Sequence, residues 1–192
     1  SEGASRLNHS GIREYVADLA AIIDTIEGPA PILVGHSMGA LVAQRYMERY
    51  PAAAAILMAP VPVHGLLPSS LRMAFSDPML FWQYGMMQTM GTGATDTATA
   101  RRAVFSDRLS DEGVAANAAR IQQESQRALW DMTVMSAGRP ALVDKRCPML
   151  VLGAEDDALF AVSETHAVAK LWDADWQLIT GMAHAMMLEP DW

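Results

Sequence analysis

The pentapeptide Gly35-His36-Ser37-Met38-Gly39 constrains this chain more than any other segment. It closes a short apolar run, Pro31–Gly35, of the kind that forms a parallel strand buried on both faces. It opens a helical pattern that runs from about Met38 to Tyr50 and ends at Pro51. A strand that turns straight into a helix at a G-x-S-x-G segment lifts the serine hydroxyl clear of the sheet. Bulky side chains two residues either side of that serine would strike neighbouring backbone, so Gly35 and Gly39 are expected to relieve a collision. The same turn aims the backbone N–H of Met38, at the helix start, toward a developing oxyanion.

A serine hydroxyl is a weak nucleophile at neutral pH and needs a base within hydrogen-bond reach. The chain has five histidines. His9 lies near the start, His64 opens a region of different texture, and His166 sits on a polar helix. His36 lies inside the elbow, with its ring expected to point away from the hydroxyl. His184 differs from all four. It ends Gly181-Met182-Ala183-His184, the loop after the last predicted strand, where an imidazole can hang above Ser37. The base in turn needs a carboxylate to fix its tautomer. Glu155-Asp156-Asp157 directly follows the apolar run Met149–Gly153 and supplies three candidates. Asp156 is taken first, Asp157 second and Glu155 third. Three adjacent acids lack the alternating spacing of a calcium loop, so no metal is expected there.

The rest of the chain supplies the frame. Residues 12–26 carry apolar side chains on one helical face, with Ser10 as expected N-cap and Gly28–Pro29 as stop. Strands are expected at 31–35, 54–58, 148–153 and 176–180, with a helix from Ser163 to Leu171. From His64 to Arg139 strand-like runs are absent and short helical patterns break at Pro68, Pro78 and Gly91–Gly93. Seven of the fourteen methionines fall here, with Phe75, Phe81, Trp82, Tyr84, Phe105 and Trp130. The reading is an α/β chain with a mostly parallel sheet flanked by helices. Residues 1–63 and 141–192 form the core, and 64–140 are a helical insertion. Active sites in such sheets lie beyond the carboxyl ends of the strands, where all three candidates fall.

Composition narrows the function. A net charge of −8 over 192 residues argues against a nucleic-acid partner. Arg101–Arg102 and Lys145–Arg146 are the densest basic spots and read as solvated surface. The single cysteine, Cys147, allows no intrachain disulfide and suits a reducing, cytoplasmic setting. It has no neighbouring histidine, so its expected role is structural. No apolar stretch reaches membrane-spanning length. Gly91-Thr92-Gly93 lacks the lysine and leading strand of a phosphate loop.

The chain order Ser37, Asp156, His184 and the motifs at 35–39, 153–156 and 181–184 together resemble the α/β-hydrolase superfamily, in its lidded esterase and lipase branch. The resemblance implies a partial α/β-hydrolase fold, with 64–140 as the cap inserted after the sixth strand. It implies hydrolysis of small apolar carboxylic esters without a cofactor, through Ser37 as nucleophile, His184 as base and Asp156 as orienting acid. A serine nucleophile disfavours dehalogenases and epoxide hydrolases, which the family builds with aspartate. Carbon–carbon bond hydrolases, thioesterases, cofactor-free haloperoxidases and a non-turnover ligand receptor stay open, as does the oligomeric state. The family also places about four strands before the elbow strand, needing roughly 70–80 residues, and a helix after the histidine loop. Ser1-Glu2-Gly3 resembles the tail of a family loop that usually reads Gly-His-Gly-x-Ser, and the family takes its second oxyanion donor from a loop after the third strand. The expectation is therefore a chain truncated at both ends, with Pro31–Gly35 as an exposed apolar edge. The 192 residues alone would then be poorly soluble and nearly inactive.

Overall fold

The computed structural model describes residues 7–90, 97–134, 138–143, 147–190 and 192. Ser1-Glu2-Gly3, Gly91–Gly93 and Lys145–Arg146 lie outside them. Four strands, β1 (Ile32–His36), β2 (Ala54–Met58), β3 (Met149–Ala154) and β4 (Asp175–Ile179), form one sheet in sequence order. All neighbours are parallel, as the alternation of strand and helix requires. Helix α1 (Ile12–Asp24) precedes β1, α2 (Met38–Met47) joins β1 to β2, and α8 (Val162–Trp172) joins β3 to β4. Between β2 and β3 lie α3 (Leu67–Ser76), α4 (Pro78–Met90), α5 (Thr97–Val104), α6 (Asp111–Ala118) and α7 (Gln126–Val134). No strand interrupts these five helices among the described residues. Pro68 and Pro78 start helices instead of breaking them. A ring in the first turn costs no hydrogen bond, because the amide it removes has no intrahelical acceptor.

Strand alternation sorts the apolar residues to two faces. Leu33, Ala55, Leu57 and Val151 are buried in the main core with α2 and α8. Met58 and Leu152 pack in a second cluster with Met182 and Met186 of the histidine loop. On that second face Ile32 and Val34 remain 67% and 63% exposed, so β1 does present an apolar surface. Gly153 lets α8 sit close: a Cβ there would lie 2.6 Å from Thr165 Oγ1.

The cap of α1 differs from expectation. Gly11, not Ser10, is the N-cap. Asp131 of α7 reaches in, its Oδ2 accepting from the Ile12 N–H at 3.0 Å. A partner 119 residues away leaves no local sequence signature. Helix α2 is buried on nearly every side, so its one polar core residue must be paired. Gln44 is 0% exposed. Its Oε1 accepts from Trp172 Nε1 at 2.7 Å and from the Gly138 N–H at 3.1 Å. One amide thus joins α2, α8 and the segment leading back from the insertion. Gln44→Met would keep the volume and orphan two buried donors. We expect it to lower stability by about 2–4 kcal/mol, read by chemical denaturation.

Candidate active site

Ser37 sits between β1 and α2 at φ 50° and ψ −117°, a conformation that L residues other than glycine rarely adopt. Such strain costs on the order of 1–3 kcal/mol and must be held from outside. The Ser37 N–H donates to the Met58 carbonyl at 2.9 Å, which fixes the turn to the carboxyl end of β2. Gly35 is obligatory here, since a Cβ would lie 2.5 Å from the Gly39 carbonyl oxygen and 2.7 Å from Ala40 Cα. Gly39 is not equivalent. A Cβ there meets nothing within 4 Å, so the expected collision exists on one side of the serine only. Met38 opens α2, and first-turn amides have no acceptor within their helix.

The acid cluster and the histidine loop are laced together. The Glu155 N–H donates to the Ile179 carbonyl at 3.0 Å and the Asp156 N–H to the Met182 carbonyl at 2.9 Å. Glu155 Oε2 accepts from the Gly181 N–H at 2.9 Å, at a residue whose φ of +65° suits glycine. The carboxylate that reaches His184 is that of Asp157, and the first choice, Asp156, is corrected. His184 Nδ1 and Asp157 Oδ2 are 2.8 Å apart. The physical reason lies in the turn. Residues 155 and 156 form it, and their amides extend the bonding toward β4, which leaves the Asp156 side chain in solvent. Asp157 comes next and points inward. Its Oδ1 accepts from the Leu159 and Phe160 amides at 2.8 and 3.0 Å. Both side chains of the pair are buried, 4% exposed for His184 and 0% for Asp157. An ionised Asp157 places the proton on Nδ1, which leaves Nε2 as an acceptor.

Sequence reasoning missed two neighbours of the base. Phe160 packs edge-on against the His184 ring at 5.1 Å between centroids. His36 turns its ring beneath His184, 4.8 Å between centroids, and its Nε2–H donates to the His184 carbonyl at 2.8 Å. Burial, reinforced by His184, pushes the His36 imidazole down to about 4. No local signal in the elbow announces this contact, because its partner is 148 residues away. Of the remaining histidines, His166 stacks near Trp176 at 4.7 Å. Burial pushes the Cys147 thiol up, away from reactivity at neutral pH.

Two cavities meet at Ser37. The first, about 380 Å³, is lined by Met73, Phe81, Trp82, Met132 and Leu159 among others. The second, about 310 Å³, holds Ser37, Met38 and His184 together with Phe105, Ile121 and Glu124. Tyr84 and Gln88 of α4 belong to both walls. Residues of the helices between β2 and β3 thus line both cavities. Of the aromatics between β2 and β3, Phe81 and Trp82 line the first cavity and Phe105 the second, and of these only Phe105 is buried; Phe75 and Trp130 line neither and are exposed.

A fold with these features matches the alpha/beta hydrolase family over residues 2–192, and the chain belongs to that family. No curated protein matches the chain. Among solved structures, a Mycobacterium tuberculosis protein is 26% identical, with a TM-score of 0.67 over 93% of this chain and 67% of its own. A thermophilic esterase from Thermogutta terrifontis is 19% identical, with a TM-score of 0.69 over 94% of this chain and 67% of its own. A bromoperoxidase from Bacillus anthracis is 17% identical, with a TM-score of 0.61 over 91% and 68%. The chain thus spans about two thirds of each, and the latter two likenesses speak for the fold alone. Among the described residues no helix is long and apolar enough to cross a membrane.

The His36 environment sets a pH dependence. The group binds protons more readily unfolded, near its ordinary 6.5, than folded, near 4. Stability is therefore full above 6.5 and declines as pH falls toward 4, by about 3 kcal/mol at most. Thermal denaturation between pH 7 and 4 should fall less steeply in His36→Gln than in the native chain.

Proposed function

We propose that this protein is a serine hydrolase that cleaves carboxylic esters through Ser37, His184 and Asp157 by way of an acyl-enzyme. The observation that carries the reading is the buried Asp157–His184 pair, whose imidazole lines one cavity with a serine held at an elbow conformation. Ser37 Oγ attacks the ester carbonyl and His184 Nε2 takes its proton. Asp157 stays ionised and stabilises the imidazolium. The Met38 N–H supports the oxyanion. The imidazolium then protonates the departing alcohol, and the same nitrogen activates water for deacylation.

Residues 64–140 act in this reading as a cap over a core made of 1–63 and 141–192. The apolar lining of the first cavity favours small to medium apolar acyl groups, and Met73 and Met132 give it an adaptable wall. A second reading, a cofactor-free haloperoxidase on the same triad, draws on the likeness to the Bacillus anthracis bromoperoxidase.

Both are tested on the protein expressed from its full reading frame. Ser37→Ala should abolish labelling by a fluorophosphonate probe, and labelling that persists would move the nucleophile elsewhere. Asp157→Asn should lower kcat toward p-nitrophenyl butyrate about 10⁴-fold, as loss of the tautomer-fixing acid does elsewhere. Asp156→Asn should stay within about twofold, because a solvated carboxylate away from the ring contributes little. Robust bromination of monochlorodimedone alongside poor ester turnover would favour the haloperoxidase.

A further inference from the structure

The two cavities are not equivalent toward the base. His184 lines the second and not the first, while Ser37 lines both. The group that leaves from Ser37's tetrahedral adduct must receive its proton from His184. The alcohol half of an ester therefore sits in the second cavity, and the acyl half in the first. Among the described residues, the second cavity holds one carboxylate, Glu124, and no lysine or arginine in its wall. Glu124 lies on the segment between α6 and α7, which its N–H fastens by donating to the Gln88 carbonyl at 2.9 Å. Its carboxylate has no hydrogen bond or ion pair among the described residues. Tyr15 and Tyr84 lie near enough to feel its charge. A half-buried carboxylate left without a partner in a reaction cavity is costly unless a ligand supplies the partner. Asn117 and Gln122 add polar groups to the same wall.

We propose that Glu124 is a specificity residue that binds a cationic amine or quaternary ammonium on the alcohol half of the substrate. The favoured esters join an apolar acyl group to an amino alcohol. The proposal rests on the serine esterase reading above. Glu124 touches no reacting atom and leaves chemistry on neutral esters to Ser37, His184 and Asp157.

The test pairs butyrate esters of trimethylammonium alcohols, with spacers of two, three and four carbons, against their uncharged tert-butyl isosteres. At pH 8 the native protein should prefer the charged member of the best pair by about tenfold or more in kcat/KM, the scale of one charge-assisted contact. In Glu124→Gln that preference should fall to about one, with the neutral ester unchanged. Equal rates for all three pairs in the native protein would overturn the proposal. So would an equal fall on both members in Glu124→Gln, which would mean that the carboxylate acts on the base. Should neither member be hydrolysed, the esterase reading fails. Calorimetric binding of the same pairs to Ser37→Ala then decides on Glu124 separately. Selective, Glu124-dependent affinity for the charged member supports it, and its lack refutes it.

Discussion

A single buried carboxylate, directly after the two-residue turn that ends β3, determines how the rest of the site is arranged. Asp157 accepts three hydrogen bonds, two from amides of its own loop and one from His184. The amide bonds make the loop rigid, and rigidity is what lets one oxygen specify the position of an imidazole 27 residues later. The histidine loop has few bonds of its own. It is held by the acid loop through Gly181 and Met182, and by the second apolar cluster through Met182 and Met186. Positioning here is a property of two loops acting together.

The insertion contributes to that frame as well as to the cavity walls. The Ala185 N–H, one residue past the base, donates to the Val104 carbonyl at the end of α5 at 2.9 Å. Glu189 accepts from both the N–H and the hydroxyl of Ser106 at 2.6 Å. On the other flank, Glu164 at the start of α8 accepts from Ser69 Oγ at 2.7 Å, and Arg72 donates to the Leu159 carbonyl at 2.7 Å. The insertion is thus bonded on one side to the histidine loop and on the other to the acid loop.

The sequence disclosed what is local or periodic. The four strands, α1, α2 and α8 were legible from apolar spacing, and the elbow from five contiguous residues. The departures are of two kinds, some set by distance along the chain and some by local geometry. The cap of α1 comes from Asp131, and no pattern near Ser10 points there. The choice of Asp157 over Asp156 depends on where a turn ends, and neighbouring carboxylates are chemically identical. Gly39 matches the motif without the crowding that justifies Gly35. The ring of His36 finds its use only when the histidine loop folds over it.

That contact also explains why a second imidazole is tolerable beside the base. In the proposed acyl transfer His184 would become an imidazolium, and a charged neighbour 4.8 Å away would oppose it. At an effective dielectric of about 20 that repulsion amounts to roughly 3 kcal/mol, on the order of a hundredfold in rate. Burial holds His36 neutral well below physiological pH, so the repulsion does not arise. Its one proton then serves as a hydrogen-bond donor to the His184 carbonyl, on the backbone and away from the reacting nitrogen. The base is therefore clasped from two directions, by an anion at Nδ1 and by a neutral donor at its carbonyl. Only Nε2 is left free to move a proton.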